Sequence, residues 1–475
     1  MTPESAENER QTKDVHQLVI DELRAALGST QVLVDADVRS SYETDWSRRW
    51  TGEALCVARP GTTDEVSAVL RVCHRYHVPC VPQGGRTGLV GGNVPTRGEV
   101  VMNLERLNQI GPLDADAGQV SAGAGVTLAT LQEVAASVGW RFGVDLASRD
   151  SATVGGMIAT NAGGVHVLRY GQMRDQVISL ECVLADGAVL RGTGSALKDN
   201  AGYDLAQIII GSEGTLGVVT SARVKLVAPD VSTMVSLVGV GELANALEMI
   251  GRCQRASLTV AAAEFLDNRA MTLVCAHLGI ARPVVESPWY AVVEFAGPVD
   301  PIDIVVDVLA DCPGVADDAV AIGYDRPSNR RLWRYREAVT ESIARSGVAH
   351  KFDVGLAPES LDEFARDVRT KVASTSPSAT VVLFGHLAEG NVHVNVLDAD
   401  PEEGAVDEMV LRLVAQMGGN VAAEHGVGRA KAAWLHLSRS SEEIRTMRAI
   451  KLALDPSLIL SPGVVFDLGT LTTEG

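Results

Sequence analysis

Aromatic side chains are scarce in this chain, only 4% of 475 residues. Set beside 46 glycines and a hydrophobic share of 46%, that scarcity points to sheets and helices rich in Val and Ala and broken by tight turns, the composition of an α/β enzyme. Basic residues are also in deficit, 41 Lys and Arg against 60 Asp and Glu, for a formal charge of -19. Such a surface repels phosphate backbones and anionic lipid, which argues against nucleic acid as a partner. Long apolar runs are missing too: none approaches the roughly 18 residues of a membrane span. The opening MTPESAENER is polar and acid-rich, unlike a secretory or mitochondrial leader, so the expected address is the cytoplasm. Finally there is no CxxC pair. Seven single cysteines, at 56, 73, 80, 182, 253, 275 and 312, read as buried thiols and offer neither a zinc knuckle nor an iron-sulfur wire.

What is present is long enough for two or three packed units. DVHQLVIDELRAALG carries Val15, Leu18, Val19 and Leu23 at helical spacing and ends at Gly28. LCVARP reads as a strand. Thr62 and Glu65 then stand at capping-box spacing before a helical face of Val66, Val69, Leu70 and Cys73, and VPCVPQGG follows as a second strand, giving a βαβ-like unit with a Gly-rich exit. From about Gly118 to Leu226 glycines punctuate short strands, which suits a backbone that closely approaches a bound molecule. Pro229 marks a boundary, ARPVVESPW and STSPSAT read as loops, and SSEEIRTMRAIKLALDP as a capped helix stopped by Pro456. The expected division is an N-terminal helical segment at 1–50, then 51–228, 229–420 and 421–475.

One hairpin stands out. Residues 380–384 and 391–397 read as strands, and a turn centred on Glu389 and Gly390 would set His386 directly opposite His393 and Phe384 opposite Asn395. Two histidines on a solvated sheet face are the ordinary reading of such a pair. AAEHGVGR changes the weighing, because Glu424 adds the carboxylate a catalytic divalent site wants and His425 stands beside it. Two imidazoles and a carboxylate with open positions suit zinc, with manganese or iron also open on ligand type.

Three Gly-rich loops share the first half of the chain: PQGGRTGLVGGN at 82–93, SATVGGMIATNAGG at 151–164 and GSEGTLG at 211–217. The first is neither GxGxxG nor GxxxxGK[ST], yet its free N–H groups suit an anion such as a pyrophosphate. Together with RYG at Arg169 and KDNAGYDL at Lys198, these loops resemble the flavin-binding domain of the vanillyl-alcohol oxidase and p-cresol methylhydroxylase superfamily. KFDV, GHLAEGNVHVNV and AEHGVGR resemble the substrate domain of its D-2-hydroxy acid dehydrogenase branch.

The resemblance implies an α+β fold: a p-cresol methylhydroxylase-type FAD-binding domain of two subdomains, an antiparallel-sheet substrate (cap) domain, and C-terminal helices returning to the flavin domain. It implies noncovalent FAD at Pro82, Gly84, Gly85, Thr87, Gly88, Leu89, Gly92 and Asn93, and at Ser151, Thr153, Gly156, Asn161, Gly163 and Gly164, with Glu213 and Val218. Arg86 departs from the pattern, which usually has Asn, and His166 stands where Arg or Lys is common. By the same resemblance His386, His393 and Glu424 match metal ligands, His425 the general base, and Arg336, Thr340 and Lys351 the contacts to the substrate carboxylate, with Asn395 facing the same pocket. Arg336 and Thr340, spaced i, i+4, are expected on one helical face.

A 2-hydroxy acid loses a hydride from C2 and a proton from its hydroxyl. The flavin suits the first, and a histidine, titrating near neutrality, the second. The implied reaction oxidises a D-2-hydroxy acid, with 2-hydroxyglutarate first and D-lactate or glycolate next. The electron acceptor would be an electron-transfer flavoprotein or a quinone, and a homodimer is possible. Two competing readings are a flavin-free zinc hydrolase and a flavin subunit that turns over only inside a larger complex.

Overall fold

The computed structural model describes residues 3–466 apart from 97, 193, 195, 298–299 and 401–403, with side chains described from residue 13 onward. The side chains of the opening decapeptide and the end of the 421–475 segment lie outside the described residues. The chain forms two compact units: 1–162, 172–228 and 425–475 make the first, and 163–171 with 229–424 the second.

The first unit holds two sheets. One has four strands, β1 (Val32–Leu33), β2 (Ala54–Ala58), β3 (Cys80–Gln83) and β4 (Glu99–Asn103), in the order β1-β2-β4-β3. β2 and β3 each run parallel to β4, so the βαβ-like unit is split by a later strand. The helix Thr63–Tyr76 begins where the sequence placed it: the Thr62 hydroxyl accepts from Glu65 N at 3.1 Å. Glu65 bonds back to Gly61 N at 2.6 Å. This helix buries Val66, Val69, Leu70 and Cys73 against β2–β4, and Val19 and Leu23 of the helix Pro3–Leu27 join the same core. Leu18 stays exposed.

The other sheet has five antiparallel strands, β5 (Ile110–Asp114), β6 (Gln119–Gly123), β7 (Val177–Val183), β8 (Val189–Arg191) and β9 (Val218–Lys225), in the order β5-β6-β9-β7-β8. Its core is Val120, Leu128, Leu131, Phe142, Met157, Ile158 and Val224.

The second unit is built on one seven-stranded antiparallel sheet: β10 (Ser232–Val240), β11 (Thr259–Asp267), β12 (Trp289–Gly297), β13 (Val320–Gly323), β14 (His350–Gly355), β15 (Thr380–His386) and β16 (Asn391–Leu397), ordered β13-β10-β12-β11-β15-β16-β14. One face changes character along the strands. Leu237, Leu266, Tyr290, Val292 and Val382 pack with Met271, Leu332 and Ile343 of the covering helices. Further along the same face stand Glu264, Glu294, His386 and His393, because alternate residues of a strand share a side.

All seven cysteines are free, and only Cys275 is not fully buried. Burial, the largest influence, pushes the Cys56, Cys182 and Cys253 thiols up to about 12. Among the described residues no helix is long and apolar enough to cross a membrane.

Candidate functional site

The hairpin forms, but with a four-residue turn at 387–390 and a register two residues from the expected one. His386 lies opposite Asn391, Phe384 opposite His393 and Val382 opposite Asn395. Gly390 takes φ +66 and abuts Leu356 O, where a Cβ would stand 1.9 Å away, so this end of the turn needs glycine, and the turn begins two residues earlier than expected. A shift of two keeps every side chain on its face. His386 and His393 are therefore diagonal rather than directly opposed, with ring centroids 5.6 Å apart.

Both rings aim Nε2 at Glu424, His386 at one carboxylate oxygen and His393 at the other, each at 3.4 Å. The edge of a tetrahedron with metal–ligand bonds of about 2.1 Å is also about 3.4 Å. Behind each imidazole stands a further carboxylate. His386 Nδ1 meets Glu264 Oε1 at 2.5 Å, and His393 Nδ1 lies 3.5 Å from Asp353 Oδ1. Carboxylates on the far ring nitrogen orient metal-binding histidines. Asp353 also accepts from Glu424 N at 2.8 Å and from Asn391 Nδ2 at 2.7 Å, so one side chain fixes a histidine and the backbone of the glutamate beside it. Asp353, His393 and Glu424 lie within reach of a single cation.

The electrostatics favour a cation. Glu264 is 1% exposed; burial opposes its charge, but His386 and Arg336 outweigh burial and hold its carboxyl below the usual range. Burial likewise opposes charge on His386, and Glu264 and Glu424 overcome it and raise its pKa well above the ordinary value. Glu389, in the turn, is pushed up to about 7, by burial first, with Glu264 and Glu424 adding to the push against His386. Four carboxylates crowd two imidazoles and one guanidinium here, a donor set a divalent ion would neutralise.

The residues assigned to the substrate carboxylate part company. Arg336 is buried at the end of the helix Arg326–Glu337, bonded through Nε and Nη2 to Glu264 Oε2, both at 2.7 Å, with its guanidinium 4.8 Å from the Phe384 ring centroid. Thr340 is exposed on a different helix, Val339–Ser346. A turn at Ala338 separates the two, so the expected common helical face is not formed. Lys351 is exposed on β14, opposite Asn395, whose amide donates to His393 O at 3.3 Å. His425 follows Glu424 in the chain and opens the last segment of the first unit. The sequence reading passed over Glu264 and Asp353, although a lone Glu in TVAAAEFLD and the Asp of HKFDV, each on an otherwise apolar strand, are legible signals.

In the first unit the three Gly-rich loops are bound to one another. A Cβ on Gly84 would fall 2.3 Å from Thr153 Oγ1, and one on Gly85 1.6 Å from Ser151 O, so the first loop needs glycine to lie on the second. The Thr153 hydroxyl caps Val154–Thr160, and Asn161, at φ +50, ends that helix, its amide bonded to Gln172 Oε1 and Arg174 N. Glu213 N and Gly211 N bond to Ala159 O and Ile158 O, joining the third loop, from which β9 departs at Val218. The Pro82 end of β3 is pinned by Gln83 Nε2, which bonds to Asn93 O and Tyr42 O, both at 2.7 Å. Around Thr87, Gly88, Leu89 and Gly92 the backbone is partly open to solvent. A Cβ on Gly88 would meet nothing nearer than 3.9 Å. A cleft of about 480 Å³ lies between Gly85, Arg86, Gly125, Thr127, Ser151 and Thr153, room for part of a dinucleotide. Arg86 supplies positive charge there, stacked 4.8 Å above the Tyr42 ring and 3.6 Å from Glu105.

Gly163 and Gly164 belong to the segment 163–171 of the second unit, as does His166. His166 is 6% exposed, with Nε2 3.4 Å from Glu294, whose other oxygen accepts from Trp333 Nε1 at 2.8 Å. Glu213, assigned by resemblance to the flavin, turns its carboxylate to the N–H groups of Val427 and Gly428, both at 2.8 Å.

Comparison with known proteins matches two families along the chain. Residues 54–193 match the FAD binding domain family, and residues 230–465 the C-terminal domain of FAD linked oxidases. The chain is 38% identical over 444 residues to the mitochondrial D-2-hydroxyglutarate dehydrogenase of Bos taurus, covering 91% of this chain and 80% of that one. It is 38% identical over 440 residues to the D-2-hydroxyglutarate dehydrogenase of Xanthomonas citri pv. viticola, covering 90% and 92%. A p-cresol methylhydroxylase structure with substrate bound superposes with a TM-score of 0.78 at 19% identity, covering 96% and 98% of the two chains. An alkyldihydroxyacetonephosphate synthase structure gives 0.74 at 19% identity over 94% and 84%. The α+β architecture is thus that of the p-cresol methylhydroxylase-type flavoproteins, and a flavin-free hydrolase is set aside. The chain belongs to the FAD-linked oxidases, oxidoreductases, in the group that includes the D-2-hydroxyglutarate dehydrogenases.

Proposed function

We propose that this enzyme oxidises a D-2-hydroxy acid to the 2-oxo acid, with D-2-hydroxyglutarate the leading substrate and D-lactate or glycolate next. The observation that carries the reading is the pair of Nε2 atoms on the two oxygens of Glu424, each ring backed by a carboxylate. A noncovalently bound FAD supplies hydride acceptance from C2, and a divalent ion, zinc first, supplies polarisation of the substrate hydroxyl. His386, His393 and Glu424 would hold the ion, and the three Gly-rich loops the cofactor. His425 takes the hydroxyl proton as general base.

Lys351 and Asn395 stand opposite each other on the sheet face that carries His393, which supports a role in holding an anionic substrate. Arg336 contributes its guanidinium from the end of its helix, held in place by Glu264. Thr340 completes the assigned set. The electron acceptor would be an electron-transfer flavoprotein or a quinone, and the cytoplasm is the proposed compartment.

The test is an anaerobic visible spectrum before and after each candidate acid. Flavin bands should bleach with one D-acid and not with its L-enantiomer, and His425→Ala should keep the bands while losing the bleaching. Full bleaching in His425→Ala would remove that residue as the base; no bleaching of the native protein by any of these acids would overturn the substrate class.

A further inference from the structure

The sequence AEHGVGR forms an anion-binding turn, and its anion is supplied from within the chain. Gly426 and Gly428 take φ +86 and +54, which turns the successive N–H groups of Val427 and Gly428 to one side. Concave pairs of backbone N–H groups of this kind hold anions. The two oxygens of Glu213 fill the concavity, each accepting one N–H at 2.8 Å. A Cβ on Gly426 would stand 2.9 Å from the carboxylate, so glycine there lets the backbone lie directly against it, and a Cβ on Gly92 of the first loop would stand 3.7 Å from Glu213 Oε2.

A second observation is independent of these bonds. Glu213 itself is held at φ +53, between Gly211 at +82 and Gly214 at +72. Glycine would occupy that conformation without strain, whereas a side chain is strained there. Strain retained in a stretch otherwise rich in glycine marks a side chain with a task. The far side of the turn is fastened as well: Arg429 N bonds to Val90 O at 2.9 Å, Arg429 Nη2 to Val94 O at 3.2 Å, and Lys431 N to Val427 O at 3.0 Å. On its other flank, Glu424 N is tied to Asp353 within the sheet unit. His425 and Gly426 thus lie between two anchored stretches of backbone.

We propose that Glu213 is a positioning residue for the reaction, fixing the backbone on which His425 is carried, and that its side chain is not a flavin ligand. The proposal rests on the reading of His425 as general base. Removing the carboxylate frees two N–H groups and lets the backbone after His425 turn, which misplaces the imidazole without touching the groups that bind substrate. A base displaced by an ångström slows proton transfer far more than it weakens binding.

The experiment uses the FAD-loaded protein and two variants. Glu213→Gln keeps the shape but can accept only one of the two N–H groups; Glu213→Gly removes the side chain and also relieves the backbone strain, so a folding defect from strain is not the explanation of a shared result. Amide hydrogen exchange is read in peptides spanning 425–429, and anaerobic flavin reduction by the D-2-hydroxy acid is read in the same samples. The expected result in both variants is exchange in that segment about tenfold faster or more, flavin content unchanged, and flavin reduction slowed on the order of 100-fold at saturating acid with little change in half-saturation. Unchanged exchange, faster exchange with unchanged flavin reduction, or loss of FAD as the sole effect would each overturn the proposal. Native protein that no acid bleaches would sink the assigned reaction instead, and the exchange measurement would still decide whether Glu213 holds the turn.

Discussion

His393 and Asp353 face each other across β16 and β14, with ring nitrogen and carboxylate oxygen 3.5 Å apart, while the same aspartate holds the backbone N–H of Glu424 at 2.8 Å. One buried side chain therefore sets the distance between a proposed ligand and its neighbour. Asp353→Asn should lower affinity for zinc by about 10–100-fold, and His393→Ala should abolish stoichiometric binding. Metal analysis after dialysis, with titration of the metal back into chelated protein, measures both. Equal zinc retention by the native protein and His393→Ala would remove the histidine pair as the site.

Arg336 and Glu264 form a pair of which Glu264 is 1% exposed. Arg336→Met breaks a buried ion pair, leaving His386 as the remaining partner of Glu264, and should destabilise the fold by about 3 kcal/mol. Adding Glu264→Gln should recover part of that loss. Thr340, exposed, should change stability by less than about 0.5 kcal/mol when replaced by Ala, so any rise in KM for Thr340→Ala would reflect substrate contact. Chemical denaturation curves separate these cases.

Gly85 and Gly88 occupy the same loop but face different surroundings. Gly85→Ala drives a Cβ into Ser151 O and should cost about 1–3 kcal/mol with loss of bound FAD. Gly88→Ala meets nothing within 3.9 Å of the chain and should leave thermal stability intact, acting only where flavin lies against it. Melting temperatures with and without added FAD, beside flavin absorbance, test the contrast.

Lys451 is buried in the helix Ser441–Leu454, donating to Asp455 Oδ2, Thr215 O and Leu460 O at 2.5, 2.7 and 2.9 Å. Burial, only partly offset by Asp455, lowers its pKa. Between that lowered value and the unfolded value of about 10.4, the unfolded chain binds more protons. The stability attributable to this group therefore rises with pH across the window. Lys451→Met should lose about 3–5 kcal/mol at neutral pH by leaving Asp455 unpaired. The advantage of the native protein should widen as pH rises towards 10, and narrowing in urea titrations at several pH values would refute this sign.

Much of the fold was legible because it follows from local rules. The Thr62 cap, the buried face of the helix Thr63–Tyr76, and the strand ends at Asn391 and Leu397 appear where periodicity and capping residues place them. Arg336 and Thr340 show where such rules stop. Their spacing fits one helix, yet the chain turns at Ala338, sending one side chain into the sheet and leaving the other in solvent. Glu213 was legible as part of a Gly-rich motif, but its partners lie more than two hundred positions away, and no local pattern reports a bond between GSEG and GVG.

By itself the sequence determined the chemistry available to this protein: two histidines on one face of a hairpin, a carboxylate before a third histidine, and glycines in three loops. Periods of 2.0 and 3.6, and the steric freedom of glycine, are properties of neighbouring residues. Tertiary structure alone decided which groups meet. Strand pairing brought Glu264 behind His386 and Asp353 behind His393, and it fixed the two-residue register shift that makes the histidines diagonal. Pairing across strands depends on hydrogen bonds and close contacts between segments distant in the chain, and those exist only once the sheet has closed.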